Sequence, residues 1–142
     1  MSNQVIDWLE SQQDNMLDLL GELVNIDSNS FDKAGVDRVA NRLAEFFDAQ
    51  SIPHETIPIT THGDAMRAVV AGGNGNRPIL LCGHRDTVFP TGEVEKRPFR
   101  IENGRAYGPG VADMKPGLVI NAFILAAFQK FGGHPNPLAR LF

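Results

Sequence analysis

A chain of 142 residues has the size of one ordinary domain, and 42% apolar residues are enough for a globular core. A net charge of −4 without a basic cluster argues against a nucleic-acid partner. The one cysteine, Cys82, cannot form an internal disulfide, the N-terminus lacks the basic and apolar regions of a signal peptide, and the longest apolar stretch, 118–128, is too short to cross a bilayer, so a cytoplasmic protein without a membrane partner is expected.

Residues 4–26 are predicted as one amphipathic helix. Trp8, Leu9, Met16, Leu19, Leu20, Leu23 and Ile26 recur at steps of three and four, and Asp7, Glu10, Asp14 and Asp18 fill the solvated face. Asp27-Ser28-Asn29-Ser30 breaks this helix. A second helix is predicted over 34–50, with Val36, Val39, Ala40, Leu43, Phe46 and Phe47 buried and Asp37 and Arg38 at the surface. Alternation over 52–59 predicts a half-exposed strand, and its two prolines put it at a sheet edge. His54 and His62 read as surface residues, since neither sits in a ligand-like pair.

Residues 66–71 form the next strand and 72–76 a tight turn. That turn is glycine-rich, but no Lys-Ser/Thr and no helix follow it, which excludes a phosphate loop. The apolar run at 77–82 predicts a central strand covered on both faces. Residues 89–99 form a loop with two prolines, and Asn103-Gly104 between short strand-like pieces predicts a hairpin. Residues 113–130 predict a helix that is apolar nearly all round, buried against the sheet, with Pro116 tolerated in its first turn. Residues 137–142 read as the start of another strand.

The chemistry concentrates in 79–117. His84 and Asp86 follow a strand, and Asp113 precedes a helix. Ligands bind beyond the carboxyl ends of strands in open α/β sheets. Imidazole and carboxylate are ordinary zinc ligands, and catalytic zinc keeps one position open. If strand geometry persists, Asp86 points the same way as His84 and can orient its ring, as outer carboxylates do. Asp113 can supply an oxygen ligand, and one carboxylate can bridge two metals. Each residue also has an ordinary structural role: His84 as a bonded loop residue, Asp86-Thr87 as turn chemistry and Asp113 as an N-cap. The conjunction is more specific than any part of it. Gly108 and Gly110 would let the hairpin backbone approach closely.

Gly83-His84-Arg85-Asp86-Thr87-Val88 and the run Gly108-Pro109-Gly110-Val111-Ala112-Asp113-Met114-Lys115-Pro116-Gly117 resemble the two N-terminal signatures of the dinuclear-zinc exopeptidase and deacylase family. That family includes glutamate carboxypeptidase, acetylornithine deacetylase and succinyl-diaminopimelate desuccinylase. The Ser-rich turn at 27–30 adds slightly to the likeness, which runs from about Leu17 to the end of the chain. The resemblance implies a three-layer α/β sandwich with a mixed central sheet, present here as its N-terminal part. It implies His84 as a ligand of one zinc, Asp113 as the bridge between two, and Asp86 as the catalytic residue orienting His84. Two zinc ions, with cobalt as an alternative, would act on a small peptide or N-acyl amino acid, and full-length members would form homodimers.

The same resemblance implies a Glu-Glu pair after the next strand, the first Glu a general base, then a further acidic ligand and a distal His. No Glu lies beyond Glu102, and His134, in a Gly/Pro turn, does not match the distal position. The expectation is therefore the N-terminal part of a metallohydrolase catalytic domain, 1–142, ending before the Glu-Glu motif, without lid or dimerisation domain and inactive alone. Two alternatives stay open: a non-catalytic truncated product or half that pairs with a separate C-terminal half, and a binding domain in which His84 and Asp113 are structural.

Overall fold

The computed structural model describes residues 2–72, 79–132 and 138–141. The predicted first helix is two helices, α1 (Ser2–Ser11) and α2 (Gln13–Val24). At the break, Ser11 Oγ donates to Trp8 O at 2.6 Å and the Gln12 N–H turns to Leu9 O at 3.1 Å. A hydroxyl bonding to a nearby carbonyl competes with the helix ladder, and the apolar spacing does not register that competition. Helix α3 (Lys33–Ala49) starts where Asp32 caps it, accepting the Gly35 N–H at 3.0 Å. It buries Val36, Val39, Ala40, Leu43 and Phe47, while Phe46 is half-buried against Phe123. Asp37 is not a free surface residue: its carboxylate accepts the Asp64 N–H at 2.7 Å.

Strands β1 (His54–Ile57), β2 (Ala65–Val70), β3 (Ile79–Cys82) and β6 (Leu138–Leu141) form one sheet in the order β1-β2-β6-β3. The β1–β2 and β2–β6 pairs are antiparallel and β6–β3 is parallel, so the sheet is mixed, as expected. Strand β1 lies at an edge, where its flanking prolines are tolerated. Strand β3 does not lie in the centre and is not covered on both faces: it is the other edge, with Ile79, Leu80 and Cys82 exposed. The interior places go to β2 and β6, and β6 joins β3 in parallel through the long crossover that such a pair needs, which here carries helix α5 (Lys115–Lys130). The predicted turn at 72–76 lies almost entirely outside the described residues, as do Arg77, Pro78 and His134.

The core lies on one side of the sheet. Met66, Ala68 and Val70 of β2 meet Leu23, Val24, Leu43, Phe47, Leu118, Ala122, Phe123 and Leu125 from α2, α3 and α5. Arg67, one step along β2, is exposed and pairs with Glu55 on the other side. The described residues thus supply the sheet and one helical layer of the α/β sandwich. Helix α5 is not buried all round, since Ile120 is 56% exposed. Between β3 and α5 lie a short helix, α4 (Glu93–Lys96), in the stretch expected to be plain loop, and the expected hairpin of β4 (Arg100–Glu102) and β5 (Arg105–Tyr107). Asn103 and Gly104 turn it with φ of 51° and 73°, the left-handed pair that a two-residue hairpin favours.

One buried charge ties α5 to α2. Lys115 is 1% exposed, and its Nζ donates to Leu23 O and Ile26 O, each at 2.8 Å. These carbonyls lie at the C-terminal end of α2, where acceptors lack helical partners and a cation is favoured. Burial lowers the Lys115 pKa from 10.5 to about 8, against the opposing pull of Asp27. Between those pH values the unfolded chain holds more of this proton, so Lys115 makes stability rise as pH increases from about 8 towards 10.5. Lys115→Met is expected to cost about 2 kcal/mol at pH 7 by stranding Ile26 O and leaving Leu23 O with only the 3.3 Å bond from the Ile26 N–H. It should also remove that alkaline rise, which urea unfolding at several pH values would read.

Candidate metal centre

His84 stands two residues beyond the end of β3, on the rim that strands of a parallel pair offer to ligands. Its Nδ1 lies 3.1 Å from both Asp86 Oδ1 and Asp86 O, and its Nε2 lies 2.8 Å from Asp113 Oδ1. The ring is thus held between two carboxylates that are 27 positions apart in the chain. Burial works against charging the His84 ring, but the Asp113 hydrogen bond and the Asp86 charge outweigh it and raise its pKa above 6.5. For Asp86, burial raises the pKa, while the Ser30 hydrogen bond and the His84 charge lower it further, so the carboxyl ends below its ordinary value.

Asp113 does not begin α5 and does not cap it. The helix starts at Lys115, its N-cap is Met114, and no side chain caps it. The Asp113–Met114 peptide bond is cis. The Asp113 side chain is 82% exposed, so its carboxylate is available to a ligand. Gly108 and Gly110 bring the hairpin's exit close to this point. At Gly110 (φ 83°) a Cβ would fall 2.9 Å from Thr87 Cγ2, and at Gly108 (φ 143°) 2.5 Å from Val24 Cγ1. Only glycine combines that φ with that approach.

Arg85, between His84 and Asp86, points the other way and is 4% exposed. Its guanidinium donates to Val36 O at 3.4 Å and to Asp64 O, and burial lowers its pKa despite Asp37, Asp64 and Asp86 nearby. The turn after α2 holds the same loop from a third side. Thr87 N–H donates to Ser28 O at 2.7 Å, Ser30 N–H to Thr87 O at 3.1 Å, and Ser28 Oγ to Arg85 O at 3.0 Å. Asn29 Nδ2 donates to Phe89 O at 3.0 Å, and Ser30 Oγ donates to Asp86 Oδ2. Asp27 accepts the Gly92 and Val94 N–H groups at 2.6 and 3.1 Å, and Asn25 Oδ1 accepts that of Phe99 at 2.8 Å.

In the sequence, 27–30 stands out as a helix break and as a Ser-rich turn that adds slightly to the family likeness, not as a clasp for the site, and neither Lys115 nor Arg85 stands out by itself. Ser, Asn and Asp are residue types that bond to backbone groups, which was the available signal, but their partners lie some 60 positions away. Neither His54 nor His62 bonds to the His84 ring or its carboxylates: His54 is half-buried, Nδ1 3.2 Å from Ile52 O, and His62 is exposed at the far wall of one of the clefts beside His84.

Two clefts flank His84 and Asp86. One, of about 210 Å³, runs past Val88, Phe89, Gly110 and Asp113. The other, of about 260 Å³, runs past Ser30, Val36, Ile59 and His62. Both are smaller than an ordinary small-molecule pocket, which has some 300 Å³ or more. Donor chemistry suits a metal at His84 and Asp113, whose ligand atoms are close enough to share one ion. Among the described residues, no group of three or more His, Cys, Asp or Glu side chains converges to hold one.

The fold is that of a peptidase of known structure. It aligns with human carnosine dipeptidase 1 at a TM-score of 0.81 and 16% identity, covering 98% of this chain and 33% of that one, a likeness that shows the fold. The family is indicated by sequence: residues 80–142 match Peptidase family M20/M25/M40. The chain is 30% identical over 129 residues to carboxypeptidase G2 of Pseudomonas sp. (strain RS-16), covering 85% of this chain and 29% of that protein. It is 35% identical over 127 residues to succinyl-diaminopimelate desuccinylase of Thioalkalivibrio sulfidiphilus, covering 84% of this chain and 31% of that one. The resemblance read from the two glycine-flanked motifs is thereby borne out, and the chain spans about 30% of the length of these curated relatives. No helix among the described residues is long and apolar enough to cross a membrane.

Removing the Ser28 hydroxyl, which is buried and spent on Arg85 O, leaves that carbonyl unpaired. Ser28→Ala is expected to cost about 1 kcal/mol in denaturant unfolding.

Proposed function

We propose that residues 1–142 form the N-terminal part of the catalytic domain of a zinc-dependent hydrolase of peptide or N-acyl amide bonds, of glutamate carboxypeptidase or deacetylase type. The observation that carries this reading is the His84 ring held by Asp86 on one nitrogen and facing Asp113 with the other. His84 Nε2 and Asp113 Oδ1 would hold zinc, with cobalt as a substitute, and Asp113 has a second oxygen for a second ion. Bound zinc supplies Lewis-acid polarisation of the scissile carbonyl and a water of lowered pKa. Asp86 keeps the Nδ1 proton in place, so that Nε2 presents its lone pair outward once its own proton is lost. In this reading the two clefts that flank the pair, though small, would each take one side of a small peptide or N-acyl amino acid.

These 142 residues do not complete the reaction in this reading. Within residues 1–142 no acidic residue follows Asp113, so these residues alone do not supply the general base and the remaining acidic ligands beyond it. Zinc is expected to shift the His84 ring signals in NMR of the 142-residue chain. His84→Ala and Asp113→Ala should abolish that binding, and Asp86→Ala should weaken it roughly 10- to 100-fold. A panel of N-acyl amino acids and C-terminal glutamyl peptides should remain uncleaved with zinc present. Zinc binding unchanged in both His84→Ala and Asp113→Ala would sink the metal reading in favour of a binding domain.

A second reading, a half that pairs with a separately made C-terminal half, is favoured by the open edge at β3 and by exposed Leu80 and Ile120. Light scattering of the purified chain tests it. Self-association is expected if that edge lacks its partner, and a clean monomer counts against it.

A further inference from the structure

The two serines of the turn at 27–30 use their hydroxyls differently. Ser28 Oγ donates to a backbone carbonyl, Arg85 O, whereas Ser30 Oγ donates to Asp86 Oδ2, the carboxylate oxygen that does not face the His84 ring. A carboxylate is planar, so a donor fixed on one oxygen also fixes the direction of the other. Ser30 itself is held by its backbone: its N–H donates to Thr87 O at 3.1 Å, and its neighbour Asn29 bridges to Thr87. Alanine at 30 would keep those ties and lose only the hydroxyl. Asp86 could then rotate away, leaving His84 Nδ1 with the Asp86 backbone carbonyl, also at 3.1 Å, as its sole acceptor.

We propose that Ser30 is a positioning residue: its hydroxyl locks the Asp86 carboxylate and, through it, aims His84 Nε2 at Asp113. This deepens the metal reading above and rests on it for its purpose, but the positioning is measurable without metal.

The test is NMR of the metal-free 142-residue chain at one fixed pH, following exchange of the His84 Nδ1 proton with water. Ser30→Ala is expected to speed this exchange about tenfold, the effect of one ordinary hydrogen bond. Ser30→Thr, which keeps the hydroxyl, should restore the slow rate. Ser28→Ala should lower the melting temperature and leave the exchange unchanged. Exchange in Ser30→Ala as slow as in the wild type would overturn the proposal. So would equal acceleration in Ser28→Ala, which would mean general loosening of the loop, or no rescue by threonine. Zinc added to the wild-type chain gives a separate answer: if it leaves the His84 ring signals unmoved, the metal reading fails, while the role of Ser30 is decided by the exchange rates alone.

Discussion

The site depends on the clasp between the turn after α2 and the chain that follows β3. A loop leaving an edge strand carries N–H and C=O groups that no ladder pairs, and buried ones must find partners. Here the partners are short polar side chains and backbone of 25–30, reaching from Arg85 to Phe99. Lys115 Nζ pins the end of α2 just before that turn. One knot of hydrogen bonds therefore places the loop of His84 and Asp86, the start of α5 beside Asp113, and the end of α2 relative to one another.

Within the knot, three consecutive residues divide their work by direction. His84 and Asp86 face the rim, and Arg85 turns inward to the carbonyls of Val36 and Asp64. Strand-like alternation gives this division, although the segment belongs to no ladder. The inward arginine anchors the loop to α3, and the outward pair is left to chemistry. Charge is arranged to match. The carboxylates on either side of the ring favour its protonated form against the cost of burial, and a bound cation at Nε2 would meet that same negative field.

Much of the fold was legible in local pattern. The three-and-four spacing of apolar residues marked the faces of α2 and α3, a near-continuous apolar run marked α5 as a helix, prolines marked the β1 edge, and Asn103-Gly104 marked the hairpin. The errors share a cause. The break at Gln12 comes from a Ser11 hydroxyl that hydrophobic spacing does not register. The exposure of β3 comes from the place that β6 takes in the sheet, and an apolar run carries no information about which neighbour covers it. Nothing local marks Lys115 for burial, yet it lies buried because the carbonyls of Leu23 and Ile26, at and just past the end of α2, accept its ammonium.

By itself the sequence determined the residue types of the site, their order, and the family they resemble, because a histidine, two carboxylates and flanking glycines at set positions are local facts. Only the tertiary structure decided that His84 lies between Asp86 and Asp113, that Asp113 is free of the helix cap, and that a serine turn 56 positions upstream grips Asp86. Those are through-space hydrogen bonds between segments distant in the chain. Their geometry follows from how α2, α5 and the sheet pack, which no local spacing encodes.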